Sequence, residues 1–298
     1  MEQFTLSTDS TCDLYLDFMR ENRIYCAPLT FTIEEKDGTM TDHLDRFESE
    51  AEYIAFYDRL RKGAYSRTTK LNYQAHYDHF LRLAQNGAKD VLHFTISSGL
   101  SSTKDIARQA ADDIRKLFPD FNVLVVDPLT ATVGQGALVT IALQWRDEGK
   151  GVKETYDYVL SLRQNIQHFI MADDLNYLCR GGRVSGIGAA IGGLLGVKPM
   201  LTFNKEGKLE MLEKNRGLKK TMQSMISKFD KMPLDMNLKM IYIVHTDNPE
   251  GARQLREMVV RKTGVEPHVS IMGPVIGSHL GPGGLGFGYF STKERNAE

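Results

Sequence analysis

Apolar and polar positions along this chain change period several times, which points to strands and helices in alternation. Residues 4–7 read as a short strand. It runs into Thr8, Asp9, Ser10 and Thr11, all N-cap types, and a helix is predicted from there to about residue 20. Residues 24–31 are apolar enough for a second strand. Residues 34–46 are charged and contain Asp37-Gly38, the mark of a surface loop or hairpin. In 51–62, Tyr53, Ile54, Tyr57 and Leu60 share a helical face. A polar loop rich in hydroxyls is predicted over 63–72, then a helix over 73–85. His76 and His79 share a face of that helix. With no carboxylate or cysteine cluster beside them, the face is read as solvated, not metal-binding.

A buried-type strand at 90–95 enters the turn Ser97-Ser98-Gly99-Leu100-Ser101-Ser102-Thr103, and a helix continues to 117. A strand follows at 121–127 and a helix at 130–148. Gly149 and Gly151 interrupt the pattern before a helix to about 167. The alternation predicts an α/β protein whose first domain, 1–167, is a Rossmann-like parallel sheet. Ligands of such sheets bind beyond the C-terminal strand ends, where the turns at 8–11 and 97–103 lie. A second α/β domain with a mixed sheet is predicted for 168–298. It holds a basic turn at 179–183, a small-residue helix at 186–196, a hairpin through 204–207, helices at 217–229 and 249–262, and strands at 238–245 and 267–272.

The stretch Gly273 to Tyr289 has seven glycines and encloses Ser278 and His279. It is read as a loop, neither helix nor regular strand, whose backbone N–H groups form one wall of an anion site. Its segment from Gly281 to Gly286 matches G-x-G-x-x-G, but a last strand follows in place of a helix, so a nicotinamide reading is weak.

Composition removes several classes. The apolar (42%) and charged (25%) fractions are those of a soluble globular protein. A net charge of −1 provides no global field for nucleic acid. Cys12, Cys26 and Cys179 are too few and too scattered for a disulfide framework or a cysteine zinc site, and a reducing cytoplasm fits. The N-terminus lacks the basic-then-apolar run of a signal peptide. The uncharged stretch 184–197 is too short to span a bilayer.

Five segments together resemble the DegV family of bacterial fatty-acid-binding proteins. They are Ser7-Thr8-Asp9-Ser10-Thr11, the turn at 97–103, the run from Leu178 to Ser185, Val197 to Leu201 with Arg216 downstream, and the Gly273 to Tyr289 stretch. The resemblance covers nearly the whole chain. It implies a long-chain fatty acid in a tunnel between the two domains, with its carboxylate on Thr68 and Thr69, on Ser97 or Ser98, and on His279. Arg183, Arg216, Ser10 and Ser278 belong to a secondary site or a partner-facing surface. It further implies that a separate ATP-binding kinase subunit phosphorylates the bound carboxylate. This chain would then present substrate without catalysing, would need no cofactor or metal, and would touch the membrane only transiently. The chain departs from the family pattern at Lys70, where glutamine is usual, at Ser102 in place of glycine, and at Lys104 in place of an aromatic residue. A cation at 70 would strengthen carboxylate binding or alter the partner surface.

The chemistry is coherent without the family. A carboxylate taken out of water needs donors, and hydroxyls, helix-terminal N–H groups and imidazole are such donors. An acyl chain needs a dry tunnel, where each buried methylene contributes roughly 0.8 kcal/mol. The small residues between 186 and 193 suit the narrowing of such a tunnel. Two rivals remain open: an ester or thioester hydrolase with Ser98 or Ser278 as nucleophile and His279 as base, and a lipid-loaded sensor read by a partner.

Overall fold

The structure is a computed structural model that describes residues 4–183 and 197–295. The predicted small-residue helix at 186–196 lies outside the described residues. In chain order the first part holds β1 (Thr5–Asp9), a 3-10 turn (Ser10–Cys12), α1 (Leu16–Glu21), β2 (Ile24–Ala27), β3 (Thr30–Glu34), β4 (Met40–Leu44), α2 (Glu50–Arg61), β5 (Tyr65–Thr69) and α3 (Tyr73–Gln85). It continues with β6 (Asp90–Phe94), α4 (Thr103–Leu117), β7 (Asn122–Val126), α5 (Val133–Asp147) and α6 (Val152–Leu162). The second part holds β8 (Ile166–Met171), α7 (Leu175–Gly181), β9 (Val197–Phe203), β10 (Leu209–Arg216), α8 (Leu218–Lys231), β11 (Ile241–His245), α9 (Pro249–Thr263), β12 (His268–Ile271), α10 (Pro274–Leu280) and β13 (Leu285–Phe290).

The fold class matches the sequence reading. β2, β1, β6 and β7 form a parallel sheet in that order. The C-terminal sheet runs β10-β9-β8-β13-β11-β12. It is antiparallel except for the β11–β12 pair, and so is mixed. A small antiparallel sheet, β4-β3-β5, stands beside them. One apolar core joins the two large sheets. Leu6, Leu92 and Phe94 of the first share it with Ile170, Leu201 and Phe203 of the second, and α5, buried along most of its length, lies between.

Several elements differ from expectation for identifiable reasons. The helix predicted after residue 8 is only a 3-10 turn, with α1 starting at Leu16, because Asp13 takes a left-handed conformation (φ 51°). The strand expected at 24–31 is two strands in different sheets, divided at Pro28, which has no N–H for a ladder. The helix expected to reach 167 stops at Leu162, and β8 begins at Ile166. The loop expected at 63–72 contains β5, paired antiparallel with β3. The glycine-rich stretch is not one loop. Residues 274–280 form α10, with Pro274 in its first turn, and residues 285–290 form the central strand β13. The face of α3 that carries His76 and His79 is buried, not solvated: these side chains are 0% and 4% exposed against β6.

Candidate functional site

The site begins with the alternation of β5. Ser66 and Thr68 turn inward, whereas Arg67 and Thr69 are exposed on the opposite face. α10 lies against the inward face. Ser66 and Ser278 meet Oγ to Oγ at 2.6 Å, and Thr68 Oγ1 lies 2.8 Å from His279 Nε2. Residues more than 200 positions apart in sequence are thus paired in register. The His279 ring packs on the Gly181 backbone so closely that a side-chain carbon there would stand 2.1 Å from Nδ1, so glycine is required at the end of α7.

Thr68 and His279 stand at the polar end of a cavity of about 80 Å³ between the sheets. Leu29, Ile96, Leu100, Ile170, Phe203 and Val275 supply much of its apolar wall, and Lys70, Ser101 and Arg183 complete the polar end. A larger groove of about 570 Å³ lies along β2 with Arg20, Arg46 and Arg82 at its edge, away from the convergent hydroxyls and imidazole. The smaller cavity joins an apolar wall to donors at one end, the arrangement an amphiphile needs.

The remaining predicted residues are placed as follows. Thr69 faces away from Thr68, on the outer side of β5. Ser97 is fully buried; its hydroxyl donates to the Gly207 carbonyl (2.7 Å) and accepts the Gly99 N–H (3.1 Å). Ser98 is exposed beside Asp127, whose carboxylate accepts its backbone N–H at 3.2 Å. Ser10 accepts the Leu29 N–H at 3.1 Å. Ser278 also donates to the Pro274 carbonyl at 2.6 Å. Arg183 lines the cavity, whereas Arg216 ends β10, exposed and outside the lining.

Neither Ser98 nor Ser278 hydrogen-bonds His279, so the pairing a hydrolase requires is not formed. Asp9, the acidic residue of the first turn, is buried on Thr11, Gln135 and the Ile96 N–H, where it ties β1 to the end of β6 and does not orient His279. The sequence weighs Ser101 with Ser97 and Ser98 as either a cap or a ligand group and leaves it out of the carboxylate site, whereas here it lines the cavity. The turn folds back, with the Ser101 N–H on the Ser97 carbonyl at 3.1 Å, and this brings the second serine pair toward the cavity. The spacing of four between Ser97 and Ser101 was the available signal.

Burial, with the Arg183 charge nearby, pushes His279 down to about 4, so the imidazole is neutral at pH 7. A neutral ring donates from one nitrogen only. The residues at which the chain departs from the family pattern are all engaged. Lys70 Nζ donates to Ser102 Oγ at 2.9 Å, and Lys104 Nζ lies 3.3 Å from Asp127. Burial alone would raise the Asp127 carboxyl, but hydrogen bonds from Ser98 and Leu129 and the Lys104 charge hold it below its ordinary value.

Residues 3–292 match the family model described as "Uncharacterised protein, DegV family". The chain belongs to the DegV family. A DegV domain-containing protein of Clostridium perfringens is 33% identical over 99% of this chain and all of its own length. A DegV lipid-binding protein of Thermotoga maritima superposes with a TM-score of 0.83 at 26% identity, covering 98% of this chain and 100% of its own. A DegV family protein of Thermus thermophilus, described as binding fatty acid, has a TM-score of 0.80 at 28% identity over 97% and 99% of the two chains. The two solved structures share this fold over nearly the whole chain. No helix among the described residues is long and apolar enough to cross a membrane.

Proposed function

We propose that this DegV protein binds a long-chain fatty acid between its two lobes, taken as 1–167 and 168–298, and presents it to a separate ATP-dependent kinase subunit for conversion to an acyl phosphate. The observation that carries the binding step is the Thr68–His279 pair at the polar end of an apolar cavity. The relatives described as lipid- or fatty-acid-binding support it. Thr68 and His279 are the head-group contacts, with Ser101 completing the donors from the turn that also holds Ser97 and Ser98. Arg183 and Arg216 face the partner. The chain needs no cofactor or metal for this role and contributes no catalytic group. It works in the cytoplasm and meets the membrane only to load or release lipid.

Mass spectrometry of an organic extract from freshly purified, denatured protein tests the binding step. Stoichiometric fatty acid is expected. An empty extract, together with no uptake of added hexadecanoate, would overturn the reading. Transfer of labelled phosphate from ATP to the bound acid in the presence of a candidate kinase subunit tests the presentation step.

A further inference from the structure

The cavity has an imbalance of charge. Among its described lining residues are two cations, Lys70 and Arg183, and no carboxylate. The other polar lining residues, Thr68, Ser101, Thr132 and His279, are hydroxyls and an imidazole that is neutral at pH 7. Neutral donors orient a carboxylate but do not cancel its charge, and a charge taken out of water without a counter-charge is strongly disfavoured.

The two cations are not placed alike. The Arg183 guanidinium is turned back onto the Gly181 carbonyl. Lys70 lies just past the end of β5, two residues on from Thr68, exposed and lining the cavity. Its Nζ crosses to the opposite side of the cleft and donates to Ser102, on the turn that carries Ser101. Among the described residues Lys70 has no ion-pair partner, while Lys104 nearby is already committed to Asp127.

We propose that Lys70, positioned by Ser102 across the cleft mouth, is the counter-charge for the ligand's head group and makes the site select ionised amphiphiles over uncharged ones of the same chain length. The inference rests on the fatty-acid reading above. Thr68 and His279 set where the carboxylate sits; Lys70 sets that it must be charged. The ammonium has three donors, so it can keep Ser102 and still meet a carboxylate oxygen. Because Lys70 is exposed, salt screens the pairing.

The test compares binding of hexadecanoate and its methyl ester to the full chain, as wild type, Lys70→Met and Lys70→Arg, at low and high salt. Lys70→Met is expected to weaken hexadecanoate about three- to fivefold, the range of a partly exposed ion pair. It should leave the ester unchanged and flatten the salt dependence, and Lys70→Arg should restore both. Wild-type affinity for hexadecanoate in Lys70→Met would overturn the inference and leave the fatty-acid reading standing. Equal loss for acid and ester would overturn it too, by showing that Lys70 acts through packing. Failure of wild type to bind hexadecanoate at all would remove the fatty-acid reading itself.

Discussion

The Ser97 hydroxyl donates to the Gly207 carbonyl at 2.7 Å, so the turn after β6 of the parallel sheet is fastened to the tip of the β9–β10 hairpin of the mixed sheet. The approach is backbone to backbone. A side-chain carbon on Gly99 would stand 2.4 Å from the Gly207 carbonyl group, and one on Gly207 would stand 2.2 Å from Ser97 Oγ. Gly207 also has φ +72°, which a residue with a side chain adopts only under strain. Phe203 and Leu209, on either side of this tip, form part of the cavity wall.

Ser97→Ala is therefore expected to cost about 1–3 kcal/mol of stability, because it leaves a buried carbonyl without its donor. Gly207→Ala should cost at least as much. Urea unfolding of ligand-free protein would measure both. A Ser97→Ala variant of wild-type stability that has lost fatty acid would show that the hydroxyl serves the ligand and not the fastening.

The alternation of β5 separates two neighbouring threonines. Thr68→Val is expected to weaken fatty-acid binding about tenfold, the equivalent of one charge-assisted hydrogen bond. Thr69→Val, on the exposed face, should stay near wild type. His279→Ala should weaken binding at least as much as Thr68→Val while the chain stays folded. Calorimetric titration with hexadecanoate decides the matter, and equal effects at 68 and 69 would contradict the strand assignment.

His76 is fully buried on Phe80, its ring nitrogens have no hydrogen-bond partner among the described residues, and burial pushes it down to about 4. The unfolded chain takes up this proton near the ordinary imidazole value of about 6.5. The folded chain resists until about pH 4. Stability is therefore whole above 6.5 and lost as pH falls toward 4. His76→Phe should remove this residue's share of the loss, with a gain over wild type about 2 kcal/mol larger at pH 5 than at pH 7.5. Thermal melts at the two pH values measure it, and a gain independent of pH would contradict the buried-neutral assignment.

Asp45 has the opposite sign. Its carboxyl is buried, with Oδ2 unpartnered among the described residues, and burial raises it to about 7. The folded state thus holds a proton that the unfolded state gives up near pH 4, and stability falls as pH rises through about 7. Asp45→Asn should flatten that slope between pH 5 and 8 and melt higher than wild type at pH 8. A variant that keeps the wild-type slope would show that Asp45 is ionised in the fold.

What the sequence determined by itself was everything carried by local chemistry. Apolar runs and N-cap residues located most strands and helices, and their alternation indicated a parallel sheet followed by a second α/β unit. The hydroxyl-rich turns and the glycine stretch around His279 stood out by their chemistry, and the family resemblance joined them with Thr68 into one site. Only the tertiary structure decided which side of each element faces inward. β5 has hydroxyls where a buried strand would have apolar groups, because Ser66 and Thr68 are satisfied by Ser278 and His279 from a distant helix; alone, the segment reads as a loop. Residues 274–280 form a helix packed against α7, β5, β3 and α2. His76 and His79 look like a wet face until β6 covers them. Ser97 looks like a free ligand until Gly207 takes its hydrogen bond. In each case a short polar side chain has two ways to be satisfied, by water or by a partner far along the chain. The energy separating them comes from contacts that local sequence does not contain.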